Sequence, residues 1–268
     1  MGRSGTSAVA GALQLAGVDL GKVLIGASAT NTKGHFENAP IVKLNGAIMK
    51  SFHTFNGDFA SLETIDWTAA PVYVAQAREV LRSQFSGSPL FGIKDPRLCR
   101  LWPVWAQALK AYGAAVRFLV PLRHPVEVAQ SLHSYGCSTN HGLMWWLAYT
   151  LDAESYSRTE PRALVSYLDL LADPRGTMER IADVLGVSWP RPLDEVEPSL
   201  RKFLERSMRH RSQDSPELRA EAESRILDMA QAVYDEMLSG PDPAHMDCAR
   251  TEFAGLAEAC QGWRPHVG

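Results

Sequence analysis

Residues 116–125, Val116-Arg117-Phe118-Leu119-Val120-Pro121-Leu122-Arg123-His124-Pro125, decide the architecture. Val116, Phe118, Leu119, Val120 and Leu122 form an apolar run of strand length, the pattern of a strand buried on both faces. Pro125 then stands where a helix takes its first residue, since its ring presets φ and its missing N–H is not needed there. A buried strand that passes directly into a helix is the unit from which parallel α/β folds are built.

Outward from this stretch the alternation recurs. Upstream, the pattern predicts a helix from Pro71 to Phe85, a stop at Ser86-Gly87-Ser88-Pro89 and a buried strand over Leu90 to Ile93. Lys94-Asp95-Pro96 closes that strand and opens a helix carrying Leu98, Leu101, Trp102, Trp105 and Leu109, which stops near Gly113. Downstream, a long aromatic helix from about Gly142 to Arg158 leads to a strand from Ala163 to Ser166, and Asp173-Pro174 begins a helix that ends at Gly186. At the beginning of the chain, Thr6 and Ser7 are placed to cap a helix bearing Val9, Ala12, Leu13 and Ala16, with Gly17 as its stop. Asn38 and Pro40 make a cap and first turn for a helix with Ile41, Val42, Leu44 and Ile48, and residues 51–66 read as loop. Beyond residue 186, Pro190, Pro192 and Pro198 break the pattern, and two charged amphipathic helices around 216–238 and 244–260 finish the chain.

The expected fold is therefore one domain over residues 1–268, a three-layer α/β/α arrangement on a mostly parallel central sheet, with an α/β core over 1–186 and a helical extension over 187–268. The 268 residues, 46% hydrophobic, suffice to bury one substantial core. A net charge of −3 leaves no global field to draw nucleic acid or an anionic membrane, so any anion site must be local. Cys99, Cys137, Cys248 and Cys260 lack paired spacing, which argues against a disulfide framework and a zinc ribbon and favours a reducing compartment. No bilayer-length apolar stretch and no basic-then-apolar leader are found, so a cytoplasmic protein without stable membrane insertion is expected.

Two short motifs carry the chemistry. Gly2-Arg3-Ser4-Gly5-Thr6-Ser7 gathers two glycines, one cation and three hydroxyls just ahead of a helix, where backbone N–H groups, the positive helix end and the guanidinium can converge on one anion. An ordinary capped turn is the plainer alternative. The lysine of GxxxxGK[ST] is absent, which counts against a nucleoside triphosphatase with its metal-binding hydroxyl. Arg123 follows the best strand directly, at the carboxyl end where open α/β sheets place ligands, and Ser131 lies two helical turns on, so the pair can share a second phosphate. His133, Cys137 and His141 are spaced by four, but Gly136 interrupts the helix they would need, and no metal is expected. Trp145, Trp146 and Tyr149 read as core, with a stacking platform for an acceptor as the alternative, and the basic run Arg201, Lys202, Arg206, Arg209, His210 and Arg211 reads as a solvated helix face followed by a loop.

Together the two motifs resemble the PAPS-dependent sulfotransferase superfamily, whose members have a P-loop-like fold. The resemblance covers roughly residues 2–186. It implies that Arg3, Ser4, Gly5, Thr6 and Ser7 hold the 5′-phosphosulfate of 3′-phosphoadenosine-5′-phosphosulfate, and that Arg123 and Ser131 hold its 3′-phosphate. Ser166-Tyr167-Leu168-Asp169 with Asp173-Pro174 is similar to the family's tyrosine-containing turn near the adenine, which makes Tyr167 a nucleoside contact. Lys94-Asp95-Pro96-Arg97 is similar to a basic strand end of bacterial carbohydrate-type members, and Lys94 becomes a second catalytic cation beside Arg3, unless it simply neutralises Asp95. For the base that takes the acceptor's proton, Glu37 is the first candidate and His35 the second, with helix capping as the alternative for Glu37. The expected acceptor is a small-molecule hydroxyl on a carbohydrate, lipid or natural product. The family's loop follows a strand, and that first strand is expected to be missing here, since the loop opens at residue 2. No clear counterpart of the glycine-rich C-terminal 3′-phosphate loop of cytosolic animal members is found, and Gly262-Trp263-Arg264 is too weak a match. A P-loop small-molecule kinase, or a catalytically inactive nucleotide-binding protein of the same fold, are the rival readings.

Overall fold

The computed structural model describes residues 1–27, 34–59, 67, 70–208 and 222–260. These make a mostly helical α/β molecule around a two-stranded parallel sheet. The helices before the sheet are α1 (Thr6–Leu15), α2 (Ala39–Ser51), α3 (Pro71–Phe85) and α4 (Leu98–Tyr112). Strand β1 (Phe118–Leu122) leads into α5 (Pro125–His133) and α6 (Thr139–Ser157), and β2 (Arg162–Ser166) leads into α7 (Tyr167–Ala172) and α8 (Pro174–Leu185). The chain ends in α9 (Leu193–Met208), α10 (Ser224–Ser239) and α11 (Pro243–Ala259).

β1 and β2 pair in parallel with Phe118 opposite Arg162 and Leu122 opposite Ser166, so the two strands release Arg123 and Tyr167 side by side at one carboxyl edge. α5 starts at Pro125 as its sequence predicts, and His124 caps it, Nδ1 accepting from Val126 N at 3.3 Å. α6 is the spine. Its Leu143, Met144, Trp146, Leu147, Ala148, Tyr149 and Leu151 are all at most 1% exposed, so apolar residues face every side and α4, α5, α10 and α11 pack around them. Each such large side chain contributes about 1.5–3 kcal/mol relative to an exposed position.

Several expectations are corrected. The sheet is smaller than predicted: Leu90–Ile93 forms no strand and makes a single parallel bridge, Phe91 to Asp19, with Asp19 N donating to Leu90 O and Gly92 N to Asp19 O. The reason is local, because Gly21 (φ 96°) turns the partner segment away just after Leu20, and Gly92 has no side chain to pack on a ladder. Thr6 and Ser7 do not cap α1; its cap is Gly5 in the left-handed region (φ 84°, ψ 4°), with no side-chain cap bond. α6 starts at Thr139, capped by Ser138, ahead of the expected Gly142. α9 is a helix where prolines were expected to break the chain, with Pro198 inside it. Fully buried Val196, Leu200 and Leu204 seat it against α1 and α8, and that burial outweighs the lost backbone bond. The part of the predicted helix from 216 to 221, and Gly262 to Arg264, lie outside the described residues. Among the described residues no helix is long and apolar enough to cross a membrane.

Candidate functional site

The loop ahead of α1 is conformationally unusual, with both Arg3 (φ 66°) and Gly5 (φ 84°) in the left-handed region. Only glycine tolerates that φ freely, so a non-glycine there marks a loop held by its surroundings. At Gly5 the surroundings are explicit, because an added Cβ would lie 2.5 Å from Tyr167 Cδ2. Ser4 is buried, and Thr6 and Ser7 open α1, whose first N–H groups carry no side-chain cap.

Arg3 Nε donates to Ser131 Oγ at 2.8 Å, and its guanidinium carbon sits 5.2 Å from the centre of the Tyr135 ring. Arg123 leaves the end of β1 and is held three ways: Nε donates to Glu127 Oε2 at 2.8 Å, Nη1 donates to Arg3 O at 3.1 Å, and its guanidinium carbon lies 5.1 Å from the Tyr167 ring centre. The Arg123 carbonyl accepts from Trp146 Nε1 at 3.2 Å, which ties the corner to the core. The loop and the Arg123–Ser131 corner are thus on the same edge of the sheet and in direct contact.

Lys94 completes the cluster from the end of the Phe91 bridge. Its Nζ donates to the His35 carbonyl at 3.0 Å and to Ser7 Oγ at 3.4 Å, and forms a short ion pair with Glu37 Oε1. Both side chains are little exposed, 11% for Lys94 and 13% for Glu37. Burial pulls the Lys94 ammonium below its ordinary pKa, and the Glu37 carboxylate opposes that pull. The alternative that Lys94 neutralises Asp95 is corrected, since Asp95 is taken by Arg97, at 2.9 Å from Nε and 2.6 Å from Nη2, and by Asn45 Nδ2 at 2.9 Å. The capping alternative for Glu37 also falls, because Asn38 caps α2, its Oδ1 accepting from Ile41 N at 3.4 Å. His35, the second base candidate, contributes its backbone carbonyl to Lys94 and Ser7.

All the predicted site residues therefore gather in one region, drawn from five places in the sequence. Glu127 and Tyr135 were missed. Glu127 could have been found, since it stands four residues after Arg123 on the corner where the helix begins; Tyr135 has no sequence signal of its own.

The other candidates fall elsewhere. Gly136 (φ 83°) turns the chain between Cys137 and His133, and His141 Nε2 meets the Gly57 carbonyl at 3.1 Å. Burial lowers the His141 pKa and pushes the Cys137 thiol up to about 11. Among the described residues no three His, Cys, Asp or Glu side chains form a group that could hold a metal. Trp146 and Tyr149 are core, and Trp145 is partly buried and packed against the same cluster. In the basic run Arg201 pairs with Glu197, while 209–211 lie outside the described residues.

Chemically, the cluster collects three cations, two carboxylates and the uncapped amino end of α1 at the carboxyl edge of a parallel sheet. The cations and the helix start are donors of the kind that suit an anion, and the two carboxylates accept from Lys94 and Arg123. No protein-family model, curated protein or solved structure matches the chain.

Proposed function

We propose that the chain is a sulfotransferase that moves a sulfuryl group from 3′-phosphoadenosine-5′-phosphosulfate to the hydroxyl of a small-molecule acceptor. The observation that carries the reading is the convergence of four separate stretches of sequence: Arg3 bonds Ser131 across 128 residues, Lys94 bonds Glu37 across 57, and Lys94 bonds Ser7 across 87. On this reading β1, β2 and the bridged Asp19 and Phe91 segments belong to one parallel sheet between helical layers, of the P-loop kind.

Each residue then has a role that follows from its position. The loop amides, Ser4, Gly5, Thr6 and Ser7 cradle the 5′-phosphosulfate at the positive end of α1. Arg123 and Ser131 take the 3′-phosphate. As the acceptor oxygen forms its bond to sulfur, the sulfur–oxygen bond to the 5′-phosphate breaks and its electron pair stays on the bridging oxygen. Arg3 and Lys94 neutralise that growing charge, and Glu37 receives the acceptor's proton. Lys94 suits this task because its ammonium is already buried and hydrogen-bonded to Ser7, so it needs little reorganisation.

The test is a titration with 3′-phosphoadenosine-5′-phosphate, adenosine 5′-monophosphate and ATP with magnesium, followed by transfer of labelled sulfate to a panel of hydroxyl compounds. The expected result is preference for the bisphosphate and transfer to at least one hydroxyl. Preference for ATP with magnesium would move the assignment to a kinase. Tight bisphosphate binding without transfer to any hydroxyl would leave a nucleotide-binding protein.

A further inference from the structure

We infer that Tyr167 is a positioning residue that holds Arg123 and the Gly5 turn in mutual register, in place of the nucleoside contact its sequence context suggests. The inference rests on the donor site proposed above and assigns a different job to one of its members.

The register of the sheet sets it up. Leu122 lies opposite Ser166, so the next residue of each strand, Arg123 and Tyr167, leaves the carboxyl edge beside the other. Ser166 then caps α7, its Oγ accepting from Asp169 N at 3.3 Å, which fixes Tyr167 as the first helical residue and aims its ring back across the loop. Tyr167 is only 8% exposed. Its Cδ2 edge fills the space a side chain at position 5 would need, at 2.5 Å, and its face lies under the Arg123 guanidinium at 5.1 Å.

A purine that stacked on Tyr167 would need an open ring face, and here Arg123 occupies one face and little of the ring meets solvent. A guanidinium resting on an aromatic face keeps its N–H groups in its own plane, pointing outward. Two of them are directed to Glu127 Oε2 and to the Arg3 carbonyl, and the remaining donors of that plane are the ones the proposed 3′-phosphate would take. One ring thus sets the plane of the 3′-phosphate ligand and, through Gly5, the turn that receives the 5′ end.

The experiment compares wild type with Tyr167→Phe, Tyr167→Leu and Tyr167→Met by calorimetry, using adenosine 5′-monophosphate and 3′-phosphoadenosine-5′-phosphate as probes. The ratio of the two dissociation constants reads the 3′-phosphate alone. Leu and Met, which fill volume without a π face, are expected to shrink that ratio at least tenfold, about 1.4 kcal/mol, while Phe keeps it near the wild-type value. Thermal unfolding of each variant identifies any that fails to fold, and Met substitutes for Leu in that event. A wild type that prefers the bisphosphate, with Leu and Met variants that keep the preference or lose both nucleotides in equal proportion, overturns the inference alone. A Phe variant that falls as far as Leu overturns it too, since the hydroxyl would then be the working group. A wild type with no preference for the bisphosphate removes the donor site and this inference with it.

Discussion

Charge is buried in two regions of this protein and is handled in opposite ways. Along the second half of α6, Asp152 accepts from Arg100 Nη1 at 2.6 Å and from Arg250 Nη1 at 3.1 Å, and Glu154, with no exposure at all, accepts from Arg158 Nε at 2.8 and 2.9 Å and from Arg162 Nη1 at 3.2 Å. Arg162 and Arg250 also donate to the carbonyls of Glu154 and Leu151. Each carboxylate is the centre, and the arginines come from α4, α11, β2 and the C-cap of α6. In the loop region the cations are the centres: Arg3, Arg123 and Lys94 reach hydroxyls and backbone carbonyls, with carboxylates supplying only Glu37 and Glu127. A carboxylate wrapped by arginines fastens helices together, whereas cations gathered ahead of α1, at the end of β1 and after the Phe91 bridge would, on the function proposed above, make a place for an outside anion.

The sharpest way to break this distinction is to remove one carboxylate from the α6 ladder. Glu154→Ala takes from half-buried Arg162 its only carboxylate among the described residues, leaving it the carbonyl of residue 154 and Ser157 Oγ, while Arg158 keeps Asp247 at 2.7 Å. Removing one partner of a buried pair costs up to about 3–5 kcal/mol. Urea unfolding should show that loss with nucleotide binding per folded molecule unchanged. A Glu154→Ala protein as stable as wild type would make the ladder ornamental.

Arg123→Ala is the counterpart in the loop region, where the loss should fall on binding. A charge-assisted hydrogen-bonded contact is worth about 1.5–3 kcal/mol, so affinity for 3′-phosphoadenosine-5′-phosphate should drop at least tenfold by calorimetry. The orphaned Glu127 sits in the first turn of α5, where the helix dipole favours a negative charge, so the stability change should stay below about 1 kcal/mol. Unchanged affinity would remove the 3′-phosphate assignment, and a stability loss as large as that of Glu154→Ala would make the two regions one kind of thing. Between these extremes, Gly5→Ala forces a side chain into the left-handed region and against Tyr167. It should cost about 1–2 kcal/mol from the backbone alone, read as a lower unfolding midpoint.

The same contrast explains what the sequence could and could not tell. The loop region is legible because its parts are local: a glycine–hydroxyl run, an arginine at the end of an apolar strand and a lysine before Asp95-Pro96 each stand out within ten residues. Helix limits marked by Pro71, Gly113, Pro174 and Gly186 are read correctly for the same reason, since each rests on a local φ restriction. The α6 ladder is illegible because Arg100, Asp152 and Arg250 meet only in three dimensions and carry no spacing. α9 was misread because Pro198 is a local signal overruled by tertiary burial of Val196, Leu200 and Leu204. The Leu90–Ile93 strand was over-read in the opposite sense: its apolar pattern is right, but a ladder also needs a partner that stays extended, and Gly21 ends that partner early.

The smallest expected effect tests whether Lys94 belongs with the cations of the loop or with the ladder's fully compensated charges. Burial holds its pKa below the ordinary 10.5 even with Glu37 beside it, so desolvation outweighs the pairing. Between that lowered value and 10.5 the unfolded chain carries more protons at this group than the folded one, and the Lys94 contribution to stability therefore rises with pH across that window. The comparison is with Lys94→Met/Glu37→Gln, in which both charges are replaced by groups of similar shape, while tyrosines and other lysines titrate alike in the two proteins and cancel. Urea unfolding at pH 8, 9 and 10 should show wild type gaining on the double variant as pH rises, by less than about 1.4 kcal/mol per pH unit. A difference that shrinks with rising pH would mean that pairing with Glu37 outweighs burial, placing Lys94 with the saturated charges of α6 and leaving Arg3 as the cation for the departing phosphate.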